Sequence, residues 1–247
     1  MVAEQTISLL AEHCVWVVIP TLNEAAGISR LVKSVLAHAD GCVVADAGSR
    51  DATRDLARKA GAIVIKTGRG RAKQMNAGAV EALKRAPDNT QLLFLHADVC
   101  LSEGWYLQVA ACSTSRWGRF DVRMESRLLT GWRLGLLKLI AWFMNERSAR
   151  TGICTGDQGL LVPAKLWAQT GGGFPDLPLM EDIEISRLLK RLAGSPVRLP
   201  GPLFVSPRRW EQRGVLQTML SMWAFRLRWF CGESAQSLHA SYYNEPL

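Results

Sequence analysis

The chain has 247 residues, 48 % of them hydrophobic, which argues against a disordered polypeptide and suffices for one large α/β domain or a domain with an appendage. Lys and Arg number 30 against 22 Asp and Glu, a formal net charge of +8 that favours anionic partners without choosing among nucleotides, phosphosugars, nucleic acid and an acidic membrane. The six cysteines, Cys14, Cys42, Cys100, Cys112, Cys154 and Cys231, form no C-x-x-C pair and adjoin no histidines, so neither a zinc site nor a small disulfide framework is indicated and buried thiols in a reducing cytosol are expected.

Residues 1–12 carry Glu4 and Glu12 and lack a basic stretch before an apolar core, so no signal peptide is expected. Residues 15–19 form a β-like run ending in Pro20-Thr21-Leu22-Asn23-Glu24, and residues 24–37 place Ile28, Leu31, Val32, Val35 and Leu36 on one helical face. A second run, 42–45, ends in Asp46-Ala47-Gly48-Ser49-Arg50-Asp51 and leads into a helix over 51–59, with Ser49 as its cap. A third strand over 62–66 and a helix over 71–84 follow. Then Leu92-Leu93-Phe94-Leu95-His96-Ala97-Asp98 reads as a buried strand that stops at an acid.

This β-α-β-α order predicts a doubly wound, mostly parallel sheet flanked by helices. Ligands gather at the carboxyl ends of such strands, so the acidic tips are expected to share one crevice. There Asp98 is placed to hold a metal ion or a substrate, and Asp46 to accept hydrogen bonds from a ribose or a base. Glu24 is either a base contact or a first-turn helix residue.

The second half is less regular. Residues 130–145 form an apolar, Trp-bearing helical stretch; 159–162 is a short strand stopped by Pro163; 180–192 and 215–230 read as helices, the last one amphipathic. Neither long apolar helix has the roughly 20 uncharged residues of a membrane span. Trp and Leu alternate with Arg or Lys in 130–145 and 215–230, so these helices either dock on a membrane surface or pack on each other over the sheet. No repeat or linker divides the chain, which predicts one domain over 1–247, with a nucleotide-binding half at about 13–100 and an acceptor half with a C-terminal helical extension at about 101–247.

Gly68-Arg69-Gly70-Arg71-Ala72-Lys73-Gln74-Met75-Asn76-Ala77-Gly78 sets two glycines and three cations at a helix start, an anion site suited to a diphosphate, although a solvated basic loop has the same composition. Gly171-Gly172-Gly173-Phe174-Pro175 followed by Met180-Glu181-Asp182 joins a glycine-hinged loop to paired carboxylates. These either complement the helix dipole or deprotonate an acceptor hydroxyl. His13, His38 and His239 lie without partners at metal-like spacing, and His96 differs through its neighbour Asp98. Of nine tryptophans, Trp210 is placed near the site because it follows Arg208-Arg209. The acidic strand tips weigh against nucleic acid.

Taken in order, these segments resemble the family 2 glycosyltransferases of GT-A fold over roughly residues 15–192. Gly68 to Gly78, Thr155-Gly156-Asp157-Gln158-Gly159 and Pro178-Leu179-Met180-Glu181-Asp182 further resemble the group named radical SAM/selenodomain-associated transferase 2. The resemblance implies that Pro20, Glu24 and Asp46 border the nucleotide, Arg71 faces its phosphates, Asp98 binds Mg2+ or Mn2+, and Asp182 is the catalytic base. It also implies that Glu181, Arg208, Arg209 and Trp210 contact acceptor or phosphate. The family's Asp-x-Asp is here His96-Ala97-Asp98, and Pro207-Arg208-Arg209-Trp210 stands where many relatives supply a later metal-binding His.

The expectation is a cytoplasmic, inverting enzyme that moves a sugar from a nucleotide diphosphate sugar to an acceptor hydroxyl, with peripheral contact at the inner face of the membrane as an option. Two alternatives stay open. A sugar-phosphate nucleotidyltransferase would release pyrophosphate and not need Asp182 as a base, and a non-catalytic nucleotide-sugar binding protein would bind without transfer.

Overall fold

Four strands, β1 (Val15–Thr21), β2 (Gly41–Asp46), β3 (Ile63–Lys66) and β4 (Gln91–Phe94), pair in parallel in the order β3-β2-β1-β4. Every residue of β1, β2 and β4 is buried. Such continuous apolar runs belong to strands covered on both faces. Helices α1 (Ile28–Leu36), α2 (Thr53–Lys59) and α3 (Arg71–Leu83) form the crossovers. On one face Val15, Val17 and Ile19 meet Ile28, Leu31, Val32 and Val35 of α1. On the other Trp16 and Val18 meet Ala72, Met75, Ala79 and Ala82 of α3. A Cβ at Gly78 would overlap the Val18 side chain, so a bare backbone is what lets α3 lie this close to β1. The structure, a computed structural model, describes residues 14–112, 114–126 and 128–244; the expectations for residues 1–12 and His13 lie outside them.

The second half completes an eight-stranded sheet ordered β3-β2-β1-β4-β7-β6-β8-β5. It runs β5 (Val99–Leu101), α4 (Trp105–Ala110), β6 (Gly118–Met124), α5 (Gly131–Thr151), a 3-10 turn (Gly156–Gln158), β7 (Leu160–Pro163), α6 (Ala164–Gln169), α7 (Glu181–Ala193) and β8 (Val197–Val205). The C-terminal extension is α8 (Arg208–Arg213), α9 (Val215–Phe230) and α10 (Ala235–Asn244). Strand β7 is antiparallel to β4 and β6, β6 is parallel to β8, and β5 is antiparallel to β8. Parallel pairing thus dominates the first half, and the second is mixed.

Several boundaries differ from those expected. The run toward Asp98 leaves the ladder at Phe94, because its antiparallel partner begins only at Leu160, after Gly159 in a positive-φ conformation. Ala97 and Asp98 then form a turn into β5. The first helix starts at Ile28 rather than residue 24, and the second at Thr53 rather than 51. Ser49 does not cap α2: its hydroxyl donates to Asp46, and Asp51 instead accepts from Thr53 N at 3.0 Å. Helix α5 continues past Asn145 to Thr151, where Gly152 ends it in the left-handed region. Strand β8 carries Pro200-Gly201-Pro202, residue types that are unusual inside a strand, and its pairing with β6 shifts register at Phe120/Val122.

Candidate active site

At the carboxyl ends of β1 and β2, two loops are stitched together by short polar side chains. Asn23, at φ 58°, donates its backbone N–H to Ser49 Oγ at 2.8 Å and accepts from Arg50 N at 2.9 Å. The backbone N–H of Glu24 donates to Thr53 Oγ1 at 2.8 Å. Asp46 is fully buried and accepts from the backbone of Gly48 (3.1 Å) and Ser49 (2.9 Å) and from the hydroxyls of Thr21 and Ser49. Its oxygens hold the loops in shape, whereas the sequence had suggested a carboxylate open to ribose or base. Behind them the amide of Gln74 on α3 donates to Thr21 O (2.9 Å) and Ala45 O (2.7 Å), tying the helix to both strand ends.

Above these loops lies a cleft of about 820 Å³ bordered by Pro20, Glu24, Arg69, Arg71, Lys73 and Asp98. Glu24 is half-buried, and burial followed by the charge of Asp98 raises its pKa above the ordinary carboxylate value. A second cavity of about 350 Å³ lies beside it, walled by Asp157, Asp182, Arg208, Arg209, Trp210 and Arg226. Arg71, His96 and Asp98 line both spaces, so the two meet at these side chains.

The junction is a chain of charges. Nη1 of Arg71 lies 3.4 Å from His96 Nε2, and His96 Nδ1 lies 3.3 Å from Asp157 Oδ1. With Nε2 accepting from Arg71, Nδ1 carries the proton and donates to Asp157. Burial alone would raise the Asp157 pKa, but the His96 hydrogen bond and the charges of Arg71 and then Arg209 leave it below the usual range. A Cβ at Gly156 would overlap the His96 ring, so this glycine is the floor on which the imidazole rests.

On its other side Arg71 pairs through Nε with Glu181 Oε1 at 3.1 Å. Burial works to lower the Arg71 pKa, yet Glu181 and then Asp182 hold it above the ordinary value. Glu181 is 2 % exposed, and burial, only partly offset by Arg71, pushes its pKa up. It borders neither the cleft nor the cavity, so the residue expected at acceptor or phosphate instead stands behind Arg71 and positions it.

Asp182 does face the cavity. Met180 adopts φ 70°, a left-handed conformation uncommon outside glycine, and turns the chain into α7 so that the next two residues diverge. Asp182 accepts from Gly156 N at 3.0 Å and from Ile183 N at 2.8 Å. The glycine loop beside it is tied rather than free, since Asn76 donates to Phe174 O (2.8 Å) and accepts from Phe174 N (2.9 Å). Phe174 packs on Phe94 and Trp167.

Asp98 is exposed, and its carboxylate makes no hydrogen bond or ion pair among the described residues. No three His, Cys, Asp or Glu side chains converge as a cation site among those residues. A cation at Asp98 would therefore complete its shell with phosphate oxygens and water, a donor set that suits Mg2+ bound with a phosphorylated substrate. Arg208 and Arg209 are exposed at the start of α8, while Trp210 is buried in the cavity wall. Sequence reasoning did not single out Asp157, Gln74, Gly156 or Arg226. Asp157 stood in a quoted motif without a chemical role, and nothing local marks a helix glutamine or a late arginine as part of the site.

Residues 16–111 match the model of glycosyl transferase family 2. No curated protein sequence matches the chain. Among solved structures, the chain is similar to glucosyl-3-phosphoglycerate synthase from Mycobacterium tuberculosis in complex with Mn2+, UDP and glucosyl-3-phosphoglycerate, at 18 % identity and TM-score 0.54, over 88 % of this chain and 82 % of that one. The same synthase with Mg2+ and UDP gives 19 % identity and TM-score 0.55 over 88 % and 82 %. A further mycobacterial protein gives 18 % and 0.52 over 90 % and 78 %. At these identities the likeness is one of fold.

Proposed function

We propose that this chain, a glycosyltransferase of GT-A fold whose residues 16–111 form its family 2 region, moves a sugar from a nucleoside diphosphate sugar to a hydroxyl with inversion. The observation that carries the reading is the meeting of cleft and cavity at Arg71, His96 and Asp98, with Asp182 on the cavity side only.

The cleft takes the nucleotide between Pro20 and Glu24, with Asp46 shaping the loops beneath. The diphosphate lies at the junction, where α3 starts at Gly70 with no side-chain cap, leaving its first N–H groups free to point at an anion. Arg71 is held there by Glu181, and Arg69 and Lys73 add charge at the rim. The acceptor occupies the cavity with Arg208, Arg209 and Trp210. Asp182 takes the proton of its hydroxyl as that oxygen attacks the anomeric carbon from the side opposite the diphosphate. Its two backbone N–H bonds fix the carboxylate before substrate arrives. A Mg2+ or Mn2+ ion at Asp98 would neutralise charge on the departing diphosphate. UDP with Mn2+ or Mg2+ in the mycobacterial synthase supports UDP as the first nucleotide to try.

The test is a thermal-shift panel of nucleoside diphosphates and their sugars with and without Mn2+. Stabilisation by a nucleotide diphosphate sugar that grows with Mn2+ is expected, and no stabilisation in either condition would sink the reading. Release of pyrophosphate from a nucleoside triphosphate and a sugar phosphate would favour nucleotidyl transfer instead.

A surface accompanies this site. Leu216, Leu220, Trp223, Leu227 and Phe230 recur three and four residues apart on α9, each at least half exposed, and Trp132, Trp142 and Phe143 are similarly exposed on α5. The exposed ionic groups of these two helices are Arg133, Lys138 and Arg150, all cationic. We assign the face to an anionic lipid surface, since exposed apolar and aromatic side chains on two helices whose exposed charges are all cationic match its interface. No helix among the described residues is long and apolar enough to cross a membrane.

A further inference from the structure

We infer that the acceptor carries a phosphate group, held by Arg226 with Arg147 behind it while its hydroxyl reaches Asp182. This deepens the glycosyltransferase reading and rests on the cavity being the acceptor site.

Helix α9 turns Met222, Phe225 and Arg226 into the cavity wall. The Arg226 guanidinium makes no hydrogen bond or ion pair among the described residues. Arg147 reaches the same neighbourhood from α5, and its Nε and Nη2 are buried without a partner. Burial, and then the nearby charge of Arg226, bring the Arg147 pKa down to about 10. Burial likewise lowers that of Arg226, against the pull of Asp182 and then Asp157. Buried Arg147 donors without a partner, beside a second guanidinium in the cavity wall, are groups that an incoming anion would satisfy.

The protein's own carboxylates do not fill that role. Asp157 is engaged by His96, Asp182 accepts two backbone N–H groups, and Glu181 is committed to Arg71. Nor does the donor's diphosphate account for Arg226, which borders the cavity and not the nucleotide cleft. Arg208 and Arg209 line the same space, with Arg209 lying 4.6 Å over the ring of Tyr242. Several guanidinium groups facing one ligand match the double charge and three oxygens of a phosphate better than a carboxylate. The cavity's volume of about 350 Å³ suits a small phosphorylated polyol, with one hydroxyl at Asp182 and its phosphate at Arg226.

Calorimetry tests this with glycerol 3-phosphate as the probe and glycerol as the control, each titrated into protein alone and into protein saturated with UDP and Mn2+. The expected result is binding of glycerol 3-phosphate but not glycerol, retained with UDP and Mn2+ present. It should weaken about tenfold or more in Arg226→Gln, the loss of one charge-assisted hydrogen bond. Arg226→Lys, which keeps the charge, should recover part of it, and UDP affinity should stay within about twofold in both variants. Loss of phosphate binding once UDP and Mn2+ are bound would assign these cations to the donor and overturn the inference. Equal binding by wild type and Arg226→Gln would overturn it as well. If UDP fails to bind while glycerol 3-phosphate binds through Arg226, the donor reading has failed and the anion site stands. Arg147→Gln is the second variant, and melting curves of all three confirm the fold.

Discussion

Asp182 and Glu181 are adjacent carboxylates with opposite fates, because Met180 launches α7 with the first side chain buried behind Arg71 and the second facing the cavity. Replacing Asp182 by Asn keeps the size and an acceptor oxygen for one of the two backbone N–H donors, Gly156 and Ile183, but removes the proton acceptor. Donor binding should be spared and transfer, or donor hydrolysis as its proxy, should fall by about 10² to 10⁴. A variant that keeps more than roughly a tenth of wild-type turnover would end the base assignment. On the proposed reading Arg71→Ala should weaken a nucleoside diphosphate more than the nucleoside, since a guanidinium pairs with phosphate oxygens in a way the uncharged nucleoside cannot reproduce. Glu181→Gln should move the same ratio in the same direction by a smaller amount, because it loosens Arg71 without removing it. Calorimetry with UDP and uridine reads both, and equal losses for the two ligands would point to a collapsed loop.

Among elements, α3 links sheet and site: its Gln74 amide satisfies the carbonyls of Thr21 and Ala45 where β1 and β2 end. Gln74→Ala removes both bonds, although Thr21 O keeps its bond from Ala47 N at 3.0 Å, and should cost about 1–3 kcal/mol in urea denaturation, at roughly 0.5–1.5 kcal/mol for each bond lost. An unchanged midpoint would show that water replaces the amide without penalty. At the other end of the molecule, Glu233 joins α9 to α10 by accepting from Arg228 Nε and Nη2 at 2.6 Å and from Ser237 Oγ at 2.6 Å. The Arg228 and Ser237 hydrogen bonds lower its pKa from 4.5 to about 2. A carboxylate depressed on folding stabilises the folded state fully above its unfolded value and loses that contribution as pH falls from about 4.5 toward 2. Thermal melts across that window should show a decline for wild type that is shallower in Glu233→Gln; identical slopes would deny the link.

For the whole molecule, α5 and α9 pack by one side on the sheet's core, through Leu137, Ile140, Ala141 and Val215, and leave the other side bare. The two packing alternatives seen in the sequence are therefore not exclusive. Flotation should lift the protein with anionic liposomes at low salt, less so at high salt, and Trp223→Ser with Leu227→Ser should keep it at the bottom. Wild-type protein that remains wholly at the bottom at low salt would remove the lipid assignment.

Local physics was enough for the first hundred residues: the apolar runs at 15–19, 42–45 and 92–94 and the helical faces between them dictate a parallel α/β unit, and their polar ends mark the crevice. It also pointed to Asp98, to the cations Arg69, Arg71 and Lys73 and to the pair Glu181-Asp182, because charge at helix starts and strand tips has a short list of uses, while the choice of Arg71 and Asp182 among them came from the family resemblance. Strands β5, β6 and β8 were not legible, since a sequence with Pro200-Gly201-Pro202 becomes strand only through a partner distant in the chain. Tertiary structure alone decided which carboxylates are spoken for: Asp46 is consumed by Gly48, Ser49 and Thr21, Glu181 by Arg71, and Asp157 by His96. Whether a charged group meets a ligand or another side chain depends on burial and on partners from other elements, and these are properties of the packed chain.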